Sequence, residues 1–126
     1  MWYLNVDKNQ FLISLYDRVP EIKNTRISEV SIHDEGQIVT ISFDMPYFAD
    51  KPPEKWNKFG YNNVHVRLDF SAVHELNILS NSHDYKGSID ITKDDSEMII
   101  VKITGTINAL IKAESGLIQS ISGYIG

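Results

Sequence analysis

The stretch Val64-His65-Val66-Arg67-Leu68-Asp69-Phe70-Ser71 alternates without exception between apolar and polar side chains. A period of two places Val64, Val66, Leu68 and Phe70 on one face and the polar residues on the other. That is the pattern of a strand with a core on one side and water on the other. The same period recurs on either side of it. Upstream, Val39, Ile41, Phe43 and Met45 alternate with Thr40, Ser42 and Asp44, and Val30 and Ile32 alternate with Ser31 and His33. An Asp-Glu-Gly turn at 34–36 separates the two runs, which predicts a hairpin. Downstream, Leu76 and Ile78 read as a short strand, and Tyr85, Gly87, Ile89 and Ile91 as another. Ile99, Val101 and Ile103 follow the turn at 93–96. Two further runs, Ile107 to Ala113 and Leu117 to Tyr124, are separated by Gly116.

Only one segment carries the helical period. Asp7 is a good N-cap residue with Gln10 three positions on, and Phe11, Leu12 and Leu15 form an apolar stripe. Pro20 disfavours helix at Val19, so a helix is expected from Asp7 to about Arg18. The expected fold is therefore α+β: one N-terminal helix, then about eight mostly antiparallel strands in a curved sheet or a sandwich. No repeat or linker divides the chain, and residues 1–126 read as a single domain.

Composition narrows the function. The 126 residues are 42% hydrophobic and 23% charged, which fits a globular protein. Lys and Arg number 12 against 17 Asp and Glu, a formal charge of −5. That balance argues against direct nucleic-acid binding, which needs clustered cations, and permits attraction of a basic partner. The absence of cysteine excludes disulfides, thiolate chemistry and Cys-based zinc sites. No apolar run is long enough to span a membrane. MWYLNVDKNQ lacks the layout of a signal peptide, so the expected compartment is the cytoplasm.

The histidines, His33, His65, His74 and His83, share no metal-ligand spacing, and neither metal nor cofactor is expected. His65, Arg67 and Asp69 form the best enzymatic constellation, on one strand face, with the groups needed for acid–base cleavage of a phosphodiester. Residues two apart project in parallel, however, and the same face is an ordinary solvated side of an amphipathic strand. The segment PYFADKPPEKWNKFGY, residues 46–61, breaks the alternation. It offers Tyr47, Phe48, Trp56 and Phe59 as anchors among charges, the make-up of a protein-binding surface. Most of these aromatics are expected to fold back over the sheet, leaving a minority exposed.

Trp2-Tyr3, FLISLYDRVP at 11–20, SFDMPYFADKPPEKW at 42–56 and the closing SGY at 122–124 together resemble the immunity protein 50 family. The resemblance implies a small cytoplasmic α+β protein without catalysis, which binds and neutralises a cognate bacterial polymorphic-toxin domain. It supplies no binding residues. Those come from the chain itself: Asp50, Glu54 and Trp56 first, then Asp44, Tyr47 and Phe48, with carboxylates standing where substrate phosphates would lie. Two alternatives remain at this stage, a phosphodiesterase-like enzyme using His65, Arg67 and Asp69, and a sheet-based self-assembly module. A monomer and a weak dimer are both compatible with the sequence.

Overall fold

In the computed structural model, which describes residues 1–126, the alternating stretches form six antiparallel strands. These are β1 (Ile22–His33), β2 (Ile38–Asp44), β3 (Asn63–Ser80), β4 (Lys86–Lys93), β5 (Ile99–Gly105) and β6 (Ile107–Tyr124). They neighbour one another in the order β1-β2-β3-β6-β5-β4, and β4 pairs back onto β1 through Ile22–Ile89, Thr25–Gly87 and Arg26–Lys86. The expected curved sheet thus closes on itself as a barrel, and there is no sandwich of two sheets. Closure lets one sheet bury its own apolar face.

The strand count falls from eight to six because two pairs of expected strands are continuous. The runs at 64–70 and 76–78 are both part of β3, and those at 107–113 and 117–124 both part of β6. What looked like punctuation is curvature. In β3, Ala72 adopts a left-handed φ of +52° beside a bulge between Val73 and Glu75, so the strand bends without ending. In β6, Gly116 sits opposite Phe70, whose ring fills the vacant space: a Cβ there would lie 2.8 Å from Phe70 Cδ1. An aromatic laid over a strand glycine keeps the ladder intact.

The period-two reading of the core holds. Val39, Ile41, Phe43, Val64, Val66, Leu68 and Phe70 are all fully buried, as are Val101 and Ile111 across the barrel. The hairpin at 34–36 forms as expected, with Gly36 at φ +91°. Ile32 faces the core side opposite Val39 but is 54% exposed, because the hairpin tip overruns the barrel.

The N-terminal helix is shorter than its apolar stripe suggests. The helix α1 (Gln10–Leu15) is preceded by Asn9, not Asp7. Asp7 instead bridges to β6: its N–H donates to the Gly116 carbonyl at 2.9 Å, and its carbonyl accepts from the Ile118 N–H at 3.0 Å. Backbone groups committed to a strand cannot open a helix. Past Leu15 the chain leaves the helix, extended at Tyr16 and bent at Asp17 and Arg18, so Tyr16 and Val19 reach the core from a non-helical backbone. Trp2, in a short 3₁₀ turn at Trp2–Asn5, is buried, stacks edge-on to Phe43 and donates from Nε1 to the Pro20 carbonyl. A second helix, α2 (Glu54–Lys58), lies within the proline-rich loop, where no helix was expected. No helix is long and apolar enough to cross a membrane.

Candidate functional site

At one end of the barrel, the end of β2, the start of β3 and the end of β6 come together with the loop between β2 and β3. Two arrangements of side chains occupy this end, one polar and one aromatic.

The polar one centres on Asp44, the last residue of β2, which is 7% exposed. Cross-strand register sets His65 beside it on β3 and Ser122 beside His65 on β6. Its carboxylate accepts from three donors: His65 Nδ1 at 2.9 Å, the Tyr124 hydroxyl at 2.7 Å and Arg26 Nη1 at 3.3 Å. The Thr25 hydroxyl donates to the Asp44 carbonyl. A buried carboxylate is stable only when charge and lone pairs are met in this way. Burial, and then the bond to Asp44, push the Tyr124 phenol above its usual pKa. Because Nδ1 faces the carboxylate it carries a proton, and Nε2 is left to meet Ser28 Oγ at 3.3 Å. Arg26, Ser28, His65, Ser122 and Tyr124 line a shallow, open depression of about 330 Å³.

Guanidinium, imidazole and carboxylate therefore do meet, but not as the sequence pattern suggested. His65 joins Arg26 and Asp44, from other strands, rather than Arg67 and Asp69 from its own. Arg67 turns to Glu29 at 3.5 Å, leaving its Nε buried without a partner, and Asp69 accepts from the Thr40 hydroxyl at 2.8 Å. Each side chain of that face is engaged by a different neighbour, and the three do not converge.

The aromatic arrangement covers the barrel's open end. Trp56 of α2 meets Phe11 of α1 edge-on at 6.0 Å, Phe48 at 6.1 Å and Tyr61 at 6.4 Å, and Tyr61 meets Phe59 at 5.5 Å. Trp56 and Tyr61 lie over Gly123, where a Cβ would come within 2.9 and 2.6 Å of them. The inner faces of Phe48 and Trp56 pack on the core, while Phe11 and Phe59 are 44% and 56% exposed. Lys51, Glu54, Lys55 and Lys58 stand exposed around them. The result is a contiguous aromatic surface with a charged rim.

The six residues singled out for partner binding do not all share this surface. Phe48 and Trp56 lie in it, and Glu54 opens α2 beside it. Asp50 is exposed and accepts from the Asp17 N–H at 3.0 Å. Tyr47 points elsewhere, packing edge-on to Tyr16 beside a hollow lined by Arg18, Val19 and Pro20. Asp44 is not free at all. Phe11 and Tyr61 were missed as surface residues. Phe11 has the spacing of a core helix position, and only its place one residue from the buried Leu12 hinted that it points outward. Asp94, in the turn between β4 and β5, is engaged locally, its Oδ1 accepting from the Ser96 and Met98 N–H groups.

The family model for immunity protein 50 matches residues 8–124, from just before α1 to the end of β6. The chain belongs to the immunity protein 50 family. The match spans both arrangements at the barrel end and all six strands. Among curated proteins the chain is similar to an uncharacterised protein, R383, of Acanthamoeba polyphaga mimivirus, 38% identical over 73 residues. That stretch is 56% of this chain and 19% of the viral protein, so the chain spans only a fraction of that relative's length. No solved structure matches the chain. The family's description is that of an immunity protein.

Proposed function

We propose that this chain neutralises a cognate polymorphic-toxin domain by binding it, and that the aromatic surface around Trp56 is the centre of the interface. The observation that carries this reading is the contiguity of Phe11, Phe48, Trp56, Phe59 and Tyr61 within a charged rim. Aromatic anchors held rigid by packing lose little entropy on binding, and such residues dominate protein interfaces. The prolines at 52 and 53 stiffen the approach to α2. The formal charge of −5 over the whole chain speeds encounter with a basic partner, and Glu54 supplies a carboxylate beside the aromatic surface. Asp44 acts from beneath, holding Tyr124 and His65 in place. In this reading the antidote occludes the toxin in the cytoplasm and breaks no bond.

Co-expression with the toxin domain encoded beside it tests the reading. The wild-type chain should restore growth and form a complex. Phe59→Ala and Glu54→Lys change exposed groups and should leave the fold intact while weakening the complex about tenfold or more. Absence of any complex, or full affinity in both variants, would end this proposal.

A second reading has one observation in its favour. Ser28, His65 and Asp44 stand in the order hydroxyl, imidazole, carboxylate, which is the relay of a nucleophilic hydrolase. The Ser28 hydroxyl is shared with the Ser42 carbonyl at 3.3 Å and lies in an open depression. Ser28→Ala separates the readings. A hydrolase loses all turnover of an activated ester, whereas an antidote keeps full toxin neutralisation.

A further inference from the structure

In a staggered barrel, long strands overrun their shorter neighbours and leave flanks without a partner strand. β6 overruns β5, and there the N-terminal chain takes up the slack through the Asp7 bridge to Gly116 and Ile118. β3 overruns β2, whose pairing with it ends at Ile38–Ser71. Val73 still donates to the Gln37 carbonyl at 3.1 Å, but beyond it β6 is the only strand paired with residues 75–80. The other flank of Leu76–Ser80 is an open sheet edge.

Native proteins usually guard such an edge with lysine, proline, a bulge or a covering segment. The bulge of β3 lies before Glu75, and Leu76-Asn77-Ile78-Leu79-Ser80 carries neither charge nor proline. Ile78 is 41% exposed and Leu79 is 67% exposed. Leu79 borders a hollow of about 410 Å³ that continues over β6 and β5. Unpaired backbone, exposed apolar side chains and no repelling charge thus coincide on five residues.

We propose that a second copy of this chain pairs with this edge, antiparallel, about a two-fold axis through Asn77. The sequence of the edge is complementary to itself in that register and in few others. Asn77 then faces its own copy, Leu76 of one protomer faces Ile78 of its partner, and Glu75 faces Leu79. Leu76 and Ile78 lie on the core side, opposite Ile111 and Ala109, so the two apolar pairs extend the core row across the junction. Moving the axis to Glu75 would set two carboxylates directly opposite, which is unfavourable. A two-fold pairing consumes each edge once and stops at the dimer. The edge lies at the far end of β3 from Asn63, where the aromatic loop rejoins the barrel, so both aromatic surfaces stay free. This inference does not depend on the toxin reading.

Light scattering behind size-exclusion chromatography, run over a concentration series on the full chain, tests it. The wild type should reach twice the chain mass. Because each copy carries a charge of −5, added salt should strengthen the dimer by screening. Leu79→Glu, at an exposed position that faces Glu75 of the second copy in this register, sets like charges opposite each other and should weaken self-association at least tenfold without altering the circular dichroism spectrum. The chain has no cysteine, so Asn77→Cys introduces a single thiol beside the axis, and mild oxidation should give a disulfide dimer where Ser96→Cys does not. A wild type that stays monomeric at millimolar concentration overturns the proposal. So does a dimer indifferent to Leu79→Glu, or one that Asn77→Cys cannot lock.

Discussion

Asp44 sits where three strands and the C-terminal segment meet, and its carboxylate is the acceptor for Arg26, His65 and Tyr124 together. Removing it strands two half-buried donors, so Asp44→Ala should lower unfolding free energy by about 2–4 kcal/mol. Asp44→Asn, which keeps an acceptor, should cost about half as much. Urea denaturation measures both, and a loss under about 0.5 kcal/mol for the alanine variant would mean that the network is ornamental. Tyr16 offers a test by pH. Its hydroxyl donates to the Tyr47 carbonyl at 2.8 Å, and burial, then Tyr47 and Asp50, push its phenol far above the usual value near 10. A raised folded pKa keeps the protonated form. The stability it confers is complete below about pH 10 and drains away as pH climbs toward the folded value. Tyr16→Phe should cost about 1 kcal/mol at neutral pH, and should flatten the alkaline decline measured between pH 9 and 11. Tyr124, raised in the same sense, leaves part of that decline in place.

At the scale of elements, the cap formed by α1, α2 and the loop between β2 and β3 is held to the barrel through the close approach at Gly123. Any side chain there collides with the Tyr61 and Trp56 rings. Gly123→Ala should lower stability by about 1–3 kcal/mol. It should also raise Trp56 exposure, read as a red-shifted tryptophan emission and faster fluorescence quenching. Trp2 is buried near the other end of the N-terminal segment and provides an unaffected internal reference. An unchanged spectrum would mean that the cap is held by other contacts. The same cap shows why α2 was not legible in the sequence. Glu54–Lys58 is too short to display a helical period, and two prolines precede it. It becomes a helix because Trp56 has a surface to pack on, which is tertiary information.

Over the whole molecule, period-two alternation identified the core almost residue by residue, because the inward face of each strand is uninterrupted from Val39 to Phe43 and from Val64 to Phe70. Closure was not legible, since nothing in a strand's own pattern states which strand becomes its second neighbour. Nor was the continuity of β3 and β6: the alternation lapses around Ala72, and Gly116 is a residue type that turns share. The polar centre was half legible: His65 and Asp44 were each singled out, but as members of different groups, because their pairing depends on β2–β3 register. The seam that closes the barrel is also its weakest ladder. β3 and β6 pair along nearly the whole of both 18-residue strands, whereas β1 meets β4 only at Ile22, Thr25 and Arg26, across a register break marked by Asn24 at φ +46°. Local opening follows the sparsest hydrogen bonding. Native-state hydrogen exchange should therefore find the β1–β4 amides opening well below the global unfolding free energy, with those of Val66 to Phe70 exchanging only on complete unfolding. Equal protection on both sides would show that the barrel opens as a unit, with the seam no weaker than the β3–β6 ladder.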